Sequence, residues 1–366
     1  MIRRSLIHGV IWLLALAVCW SCDPQVGPTG KGSVSLALKT SHTASATRAT
    51  EPGDGTAADG GQIANDATYG TPDVMIFIVD ESDPPAVAAR YYPGCDPAVT
   101  TNGSLRAHYT ATADTVTFAN LDEGDYTVYA YANTAGLALS AALDPATIAT
   151  QEALEGLLFA ALTVPDTIAL SNSRLPLAAT APLHVYSGHN GMVNLDLKRC
   201  LAKVSVELIN QTGASLTLPN QMTGETIDAP GLSVTLKHMN PNQGYVFAHT
   251  DDIPSGAYTP GPCGDIVYEC GPTIPAGDTL KLTRLVFPSD TVHCGGFTCD
   301  IDFYLGSDEF EYHDLPILNN RAQPLAVLAR NTYLHIEVRI SKKKQVSFNF
   351  SVSDWNTSKT ETITFE

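Results

Sequence analysis

Residues 345–353 read Gln-Val-Ser-Phe-Asn-Phe-Ser-Val-Ser, an unbroken alternation of polar and apolar side chains. Successive side chains of an extended chain point to opposite faces, so Val346, Phe348, Phe350 and Val352 share one face and small polar groups share the other. A helix would scatter the same residues around its circumference. The segment is therefore a strand with one buried face, close to the C-terminus. Lys342, Lys343 and Lys344 precede it, and Asp354-Trp355-Asn356 follow before a shorter alternation through Ile363 and Phe365.

The same period recurs along the chain. Residues 32–39 (G-S-V-S-L-A-L-K) place Val34, Leu36 and Leu38 on one face, while residues 74–79 (V-M-I-F-I-V) are apolar on both, as a strand covered on both sides requires. Residues 116–118 and 126–131 flank Asp122-Glu123-Gly124-Asp125 and are predicted to form a hairpin. Further strands are predicted at 192–197, 201–209, 232–236, 280–287, 301–305 and 333–340. Threonine occurs 38 times, against 21 Lys plus Arg, and Gly (28) and Pro (23) are frequent, which suits short strands joined by turns. One helix is predicted: Asp144 caps it, Pro145 opens it, and Leu154, Leu157, Leu158, Ala161 and Leu162 line one face before Pro165. The expected architecture is mainly β: two β-sandwich domains, 49–190 and 191–344, with one short helix in the first, followed by a tail at 345–366.

With 44% hydrophobic and 16% charged residues the chain is neither a disordered polyelectrolyte nor a coiled coil. A net charge of −17 argues against nucleic acid as a partner. At the N-terminus Arg3 and Arg4 precede an apolar run over residues 6–20, the pattern of a secretory signal peptide. The run ends in Cys19-Trp20-Ser21-Cys22-Asp23, where a small residue stands just before Cys22. Residues 1–21 are expected to be removed and Cys22 to be acylated, and two or three acyl chains at about 0.8 kcal/mol per methylene hold a protein on a membrane without a spanning helix. Residues 40–71 collapse to Thr, Ala, Gly, Ser and Asp with Arg48 among them, a stretch unable to bury a core and open to a protease.

Six cysteines follow the leader: Cys95, Cys200, Cys263, Cys270, Cys294 and Cys299. In an exported chain they are expected to form disulfides, with Cys263–Cys270 and Cys294–Cys299 as one arrangement, although spacing does not fix connectivity. The spacings C-x6-C and C-x4-C, with His293 beside Cys294, fit a tetrahedral metal poorly, so neither metal nor cofactor is expected. Ten histidines are scattered without H-E-x-x-H, G-x-S-x-G or a phosphate loop, and no catalytic residue is expected. Asp251-Asp252 and Asp308-Glu309 read as solvated carboxylates rather than calcium ligands. Tyr91 and Tyr92 are the aromatics that a glycan-binding surface lipoprotein would use.

Taken in order, several segments resemble the fimbrillins, subunits of the protease-matured (type V) pili, which are exported as lipoproteins. They are S-C-D at 21–23, S-V-S-L-A-L-K at 33–39 with T-R-A at 47–49, V-M-I-F-I-V-D at 74–80 and L-D-E-G-D-Y-T-V-Y-A-Y at 121–131. L-K-R-C-L-A-K-V-S-V at 197–206, L-A-R-N-T-Y-L-H-I-E-V at 328–338 and V-S-D-W at 352–355 complete the series. The resemblance implies transthyretin-like sandwich domains and polymerisation by strand donation. An arginine-specific protease would cut between Arg48 and Ala49 and remove the lipidated prosegment 22–48. Val34, Leu36 and Leu38 would be the displaced strand; Val346, Phe348, Phe350 and Val352 with Trp355 would be the donated one. The implied partners are identical or related pilus subunits, the protease and, before processing, the outer-membrane lipid anchor; the implied location is a cell-surface fimbrium. An anchor subunit would keep its lipidated N-terminus, and a tip subunit would carry a binding domain.

Magnitudes set the terms of such a joint. Burying the four apolar side chains of the tail yields about 6–12 kcal/mol at 1.5–3 each. Ordering eight backbone residues opposes this by roughly 8–16 kcal/mol. A main-chain ladder at about 0.5–1.5 kcal/mol per bond is needed to tip the balance. Residues 1–48 hold Arg3, Arg4, Lys31, Lys39 and Arg48 against Asp23 alone, so losing them makes the remainder more acidic, which resists lateral clumping.

Overall fold

A computed structural model describes residues 30–40, 74–94, 108–111, 115–133, 137–141, 143–162, 175–217, 233–240, 243–254, 263–269, 273–305, 308–341, 345–354 and 363–364. The chain is mainly β, with several sheets and little helix. Its first eight strands are β1 (Lys31–Thr40), β2 (Val74–Asp80), β3 (Val87–Tyr91), β4 (His108–Ala111), β5 (Thr115–Asp122), β6 (Gly124–Ala132), β7 (Leu177–Val185) and β8 (Asn190–Arg199). They form one sheet in the order β3-β2-β6-β7-β8-β1-β5-β4. β7 and β8 pair only at Leu177 with Arg199 and Ala178 with Lys198, so the sheet has a corner there. The two parts on either side of that corner enclose one core, to which β1, β2, β5, β6, β7 and β8 all contribute.

The expected hairpin does not form. β5 and β6 are separated by Glu123 alone, yet β5 pairs with β1 and β4, and β6 pairs with β2 and β7. Alternation marks a strand but does not name its partner. Here the distant β1 and β2 supply full-length edges, and the Tyr126 hydroxyl donates to the Asp122 carbonyl at 2.8 Å across the corner. The predicted double-sided burial of β2 is seen: Ile76 and Ile78 face the core just described, Phe77 and Val79 a second one.

The remaining strands are β9 (Ala202–Gln211), β10 (Leu216–Thr217), β11 (Ser233–Asn240), β12 (Gly264–Glu269), β13 (Thr273–Ile274), β14 (Thr279–Val286) and β15 (Ser289–Asp290). β16 (Thr298–Leu305), β17 (Asp308–Pro316), β18 (Val327–Leu328), β19 (Thr332–Ser341), β20 (Val346–Asp354) and β21 (Ile363–Thr364) complete the series. One sheet runs β14-β9-β19-β20-β21, another β12-β11-β16-β10-β13 with β17 on β16. Both line a third core around Val204, Val206, Val234, Ile301, Ile336 and Val338. The chain passes from the first set of strands to the second at Cys200 and Leu201, after β8, whereas the boundary expected at 190/191 falls at the first residue of that strand.

The helix is shorter than its pattern suggests. It spans Gln151–Glu155, capped by the Thr150 hydroxyl, which accepts from the Ala153 amide at 3.2 Å, and ends at Gly156. Residues 145–147 form a turn on Asp144 instead, because Ala149 and Thr150 are drawn into bridging contact with Val87 and Ala86. Leu158 and Phe159 are likewise extended and bridge to Tyr245 and Leu139. Phe159, Phe247, Phe287, Tyr129 and Tyr131 form the core where the two sets of strands meet. Arg330 fastens the 245–252 loop there, donating to both Asp252 carboxylate oxygens (3.2 and 2.8 Å) and to the Tyr245, Val246 and Phe247 carbonyls.

Cysteine pairing also differs from the expected arrangement. Cys263 is bonded to Cys294, tying the start of β12 to the one-turn helix Thr291–Cys294. Cys299 is a free buried thiol, as is Cys200, and Cys270 lies outside the described residues. The topology explains this: the six positions after Cys263 are the extended strand β12, which carries the chain away from it, and Cys299 is a buried residue of β16.

Candidate functional site

The candidate site is the place held by β1. On one edge β1 pairs antiparallel with β5, from Lys31 opposite Asp122 to Ala37 opposite Thr115; on the other it pairs parallel with β8, from Ser33 opposite Asn190 to Thr40 opposite Leu197. A β-bulge between Gly32 and Ser33 leaves Asn120 unmatched on β5 with φ 64°, a conformation Asn tolerates. The inward face is apolar and sealed: Val34, Leu36 and Leu38 are 1%, 0% and 5% exposed. Around them lie Val116, Phe118, Leu195 and Leu197.

The outward face of β1 is polar. The Ser35 and Thr117 hydroxyls are hydrogen-bonded at 2.8 Å, and the Ser33 hydroxyl donates to the Asn190 side-chain carbonyl. Lys31 forms an ion pair with Asp122 at 2.9 Å. Main-chain bonds tie the start of the strand to the β7–β8 loop: Gly188 donates to Lys31 and Ser33 donates to His189. Gly32 lets the strand lie close there: a Cβ would stand 2.4 Å from the Tyr186 carbonyl oxygen and 2.8 Å from Val185 Cγ1, so a larger residue needs that segment to shift.

The second half of the predicted machinery, β20, is held at home. It pairs antiparallel with β19 along its whole length, from Val346 opposite Ile340 to Asp354 opposite Thr332. On its other edge, among the described residues, β21 matches Asn349 and Phe350 alone. Of the predicted apolar face, Phe350 is buried, while Val346, Phe348 and Val352 are partly buried against the third core. Asn320, which the sequence did not signal, covers the outer edge further along: its side-chain amide donates to the Val352 carbonyl at 2.6 Å and its side-chain carbonyl accepts from the Val352 amide at 2.7 Å. One side chain thus imitates a neighbouring strand at that position. In the same sheet as β20, His335 on β19 bonds Glu207 on β9 at 2.9 Å, and this bond holds the Glu207 carboxyl below the usual range.

The remaining sequence-predicted residues divide plainly. Cys22, Arg48, Ala49 and Trp355 lie outside the described residues. Tyr91 is 7% exposed and no sugar platform, which corrects the expectation for it, and Tyr92 is half-buried; among the described residues the exposed large aromatic is Tyr186, at 60%, edge-on to His184 and His189. Asp252 is engaged by Arg330 rather than solvated. Burial pushes the Cys200 and Cys299 thiols up to about 12, far from thiolate reactivity. Among the described residues no group of three metal-ligating side chains converges, and no helix is long and apolar enough to cross a membrane.

The arrangement matches solved structures. A candidate cell adhesion protein from Parabacteroides distasonis ATCC 8503 aligns over 91% of this chain and 99% of its own length, with a TM-score of 0.52 at 11% identity. Another, from Bacteroides eggerthii DSM 20697, aligns over 90% and 97% with a TM-score of 0.50 at 14% identity. This chain has their fold. The tip fimbrial protein Mfa3 from Porphyromonas gingivalis, with a C-terminal truncation, aligns over 89% and 100% with a TM-score of 0.49 at 12% identity. No family model and no curated protein matches the chain.

Proposed function

We propose that the protein is a structural subunit of a cell-surface fimbrium, exported as a lipoprotein on Cys22, cut after Arg48 and polymerised when the tail of a second copy takes the place of β1. Two sandwich domains, divided after β8 at Cys200 and Leu201, form the body in this reading, and residues 345–366 form the donor. The observation that carries it is the position of β1: a cut after Arg48 separates β1 and no other described strand, yet β1 is an inner strand of its sheet, paired on both edges. Its loss would expose two unpaired ladders and an apolar cleft, and these ask for another extended chain with an alternating face. Residues 346–352 have that face.

The test is treatment with an arginine-specific protease followed by gel analysis. One cut after Arg48 and SDS-resistant ladders are expected, and the ladders vanish when residues 345–366 are deleted. Equal laddering by the deleted chain refutes the donor assignment. Within the same assembly, an anchor subunit would keep β1 uncut, and a tip subunit would fill a neighbour's slot without growing ladders of its own.

A further inference from the structure

β1 and the C-terminal segment share more than alternation. Lys31-Gly32-Ser33-Val34-Ser35-Leu36-Ala37-Leu38 aligns without a gap on Lys343-Lys344-Gln345-Val346-Ser347-Phe348-Asn349-Phe350. Lys, Val and Ser coincide at the first, fourth and fifth positions, and large apolar residues coincide at the sixth and eighth. The structure gives each shared position a contact. Lys31 pairs with Asp122 at 2.9 Å, Val34 is buried, the Ser35 hydroxyl meets Thr117 at 2.8 Å, and Leu36 and Leu38 enter the core.

We infer that residues 343–350 of a second copy enter in this register, parallel to β8, with Lys343 on Asp122, Ser347 on Thr117, and Val346, Phe348 and Phe350 in place of Val34, Leu36 and Leu38. The inference rests on the strand-exchange reading and narrows it to one alignment. A one-residue slip turns the apolar face outward. A two-residue slip one way puts Lys344 where Val34 is buried; the other way it puts Gln345 where Lys31 meets Asp122, and the ion pair is lost. Ser33 and Ala37, on the outward face, are exchanged for Gln345 and Asn349, and the mismatch with a steric cost is Gly32. Lys344 comes to its position, where a Cβ meets the Tyr186 carbonyl oxygen at 2.4 Å, so the backbone at Val185 and Tyr186 moves aside for the donor. Lys31, lost with the prosegment, is thereby replaced by a lysine of the neighbour, and the acidic corner of Asp122 and Glu123 regains its counter-charge.

Zero-length carbodiimide coupling, which joins a carboxylate only to an amine in contact with it, reads the register directly. In the uncut chain the coupled peptide is Asp122 with Lys31. In ladders formed by the chain cut after Arg48, the expected peptide is Asp122 with Lys343 of another copy. Ladders in which Asp122 couples to Lys342, to Lys344 or to no lysine overturn the register while leaving strand exchange standing. The absence of ladders overturns the exchange reading and the register with it. A second arm uses rates: Lys343→Glu and Asp122→Lys each slow laddering by about three- to tenfold, and the double variant recovers most of the loss. Singles that match the unaltered chain in rate refute the Asp122 contact.

Discussion

β1 and β20 carry the same alternating pattern and are held in opposite ways. β1 has a strand on each edge and three sealed side chains; β20 has one full-length neighbour, a two-residue match to β21 and the Asn320 amide. The strand proposed to leave is therefore the better bound, and the strand proposed to be donated is the looser. Pattern alone makes a segment a strand, whereas the number of paired edges decides how readily it departs. The cut after Arg48 acts on this contrast through connectivity. While tethered, β1 meets its cleft at a high effective concentration, and once severed it is diluted like any other peptide.

Core truncation is the largest test of that contrast. Leu36→Ala is expected to cost about 2–5 kcal/mol in the uncut chain. Phe348→Ala, at a partly buried position, is expected to cost less than about 2 kcal/mol. Urea-unfolding midpoints measure both, and equal losses would mean that β20 is as firmly built in as β1. Next in size is Asn320→Ala. Losing two hydrogen bonds to Val352 is worth about 1–3 kcal/mol locally. Hydrogen exchange should quicken at the Val352 amide and stay unchanged along β1; a uniform increase would show a general loss of stability rather than a released edge.

The smallest effect is a pH dependence in the strands beside β20. Bonding to His335 lowers the folded-state value of Glu207, so this group contributes stability that is complete above its ordinary value of about 4.3 and is lost as pH falls through the lower folded one. Glu207→Gln is expected to flatten the acid limb of a stability profile below about pH 4 by less than about 1 kcal/mol, since the pair is partly exposed. The variant and the unaltered chain should differ at neutral pH and converge in acid; a difference that persists undiminished below the folded-state value would contradict this assignment.

The sequence displayed both key strands, because period-two alternation is a local property. Which strands become neighbours is not local, and there the reading missed: β5 and β6 looked like a hairpin, yet each found its partners far along the chain. The helix was overestimated for a related reason, since Leu158 and Phe159 fit one helical face but bridge to Tyr245 and Leu139. Asn320 carried no signal, as an asparagine between Asn319 and Arg321 reads as an ordinary turn. Tyr91 ends β3, all five of whose residues are buried, and a strand that short shows no period from which its burial could be read.

Peptide capture tests the central claim most directly. A labelled peptide of residues 343–354 is present while a chain lacking residues 345–366 is cut after Arg48, and the mixture is passed over a sizing column. The account predicts a one-to-one complex that survives the column and does not form with an Arg48→Ala chain. Equal capture by cut and uncut chains, or capture by neither, would contradict it.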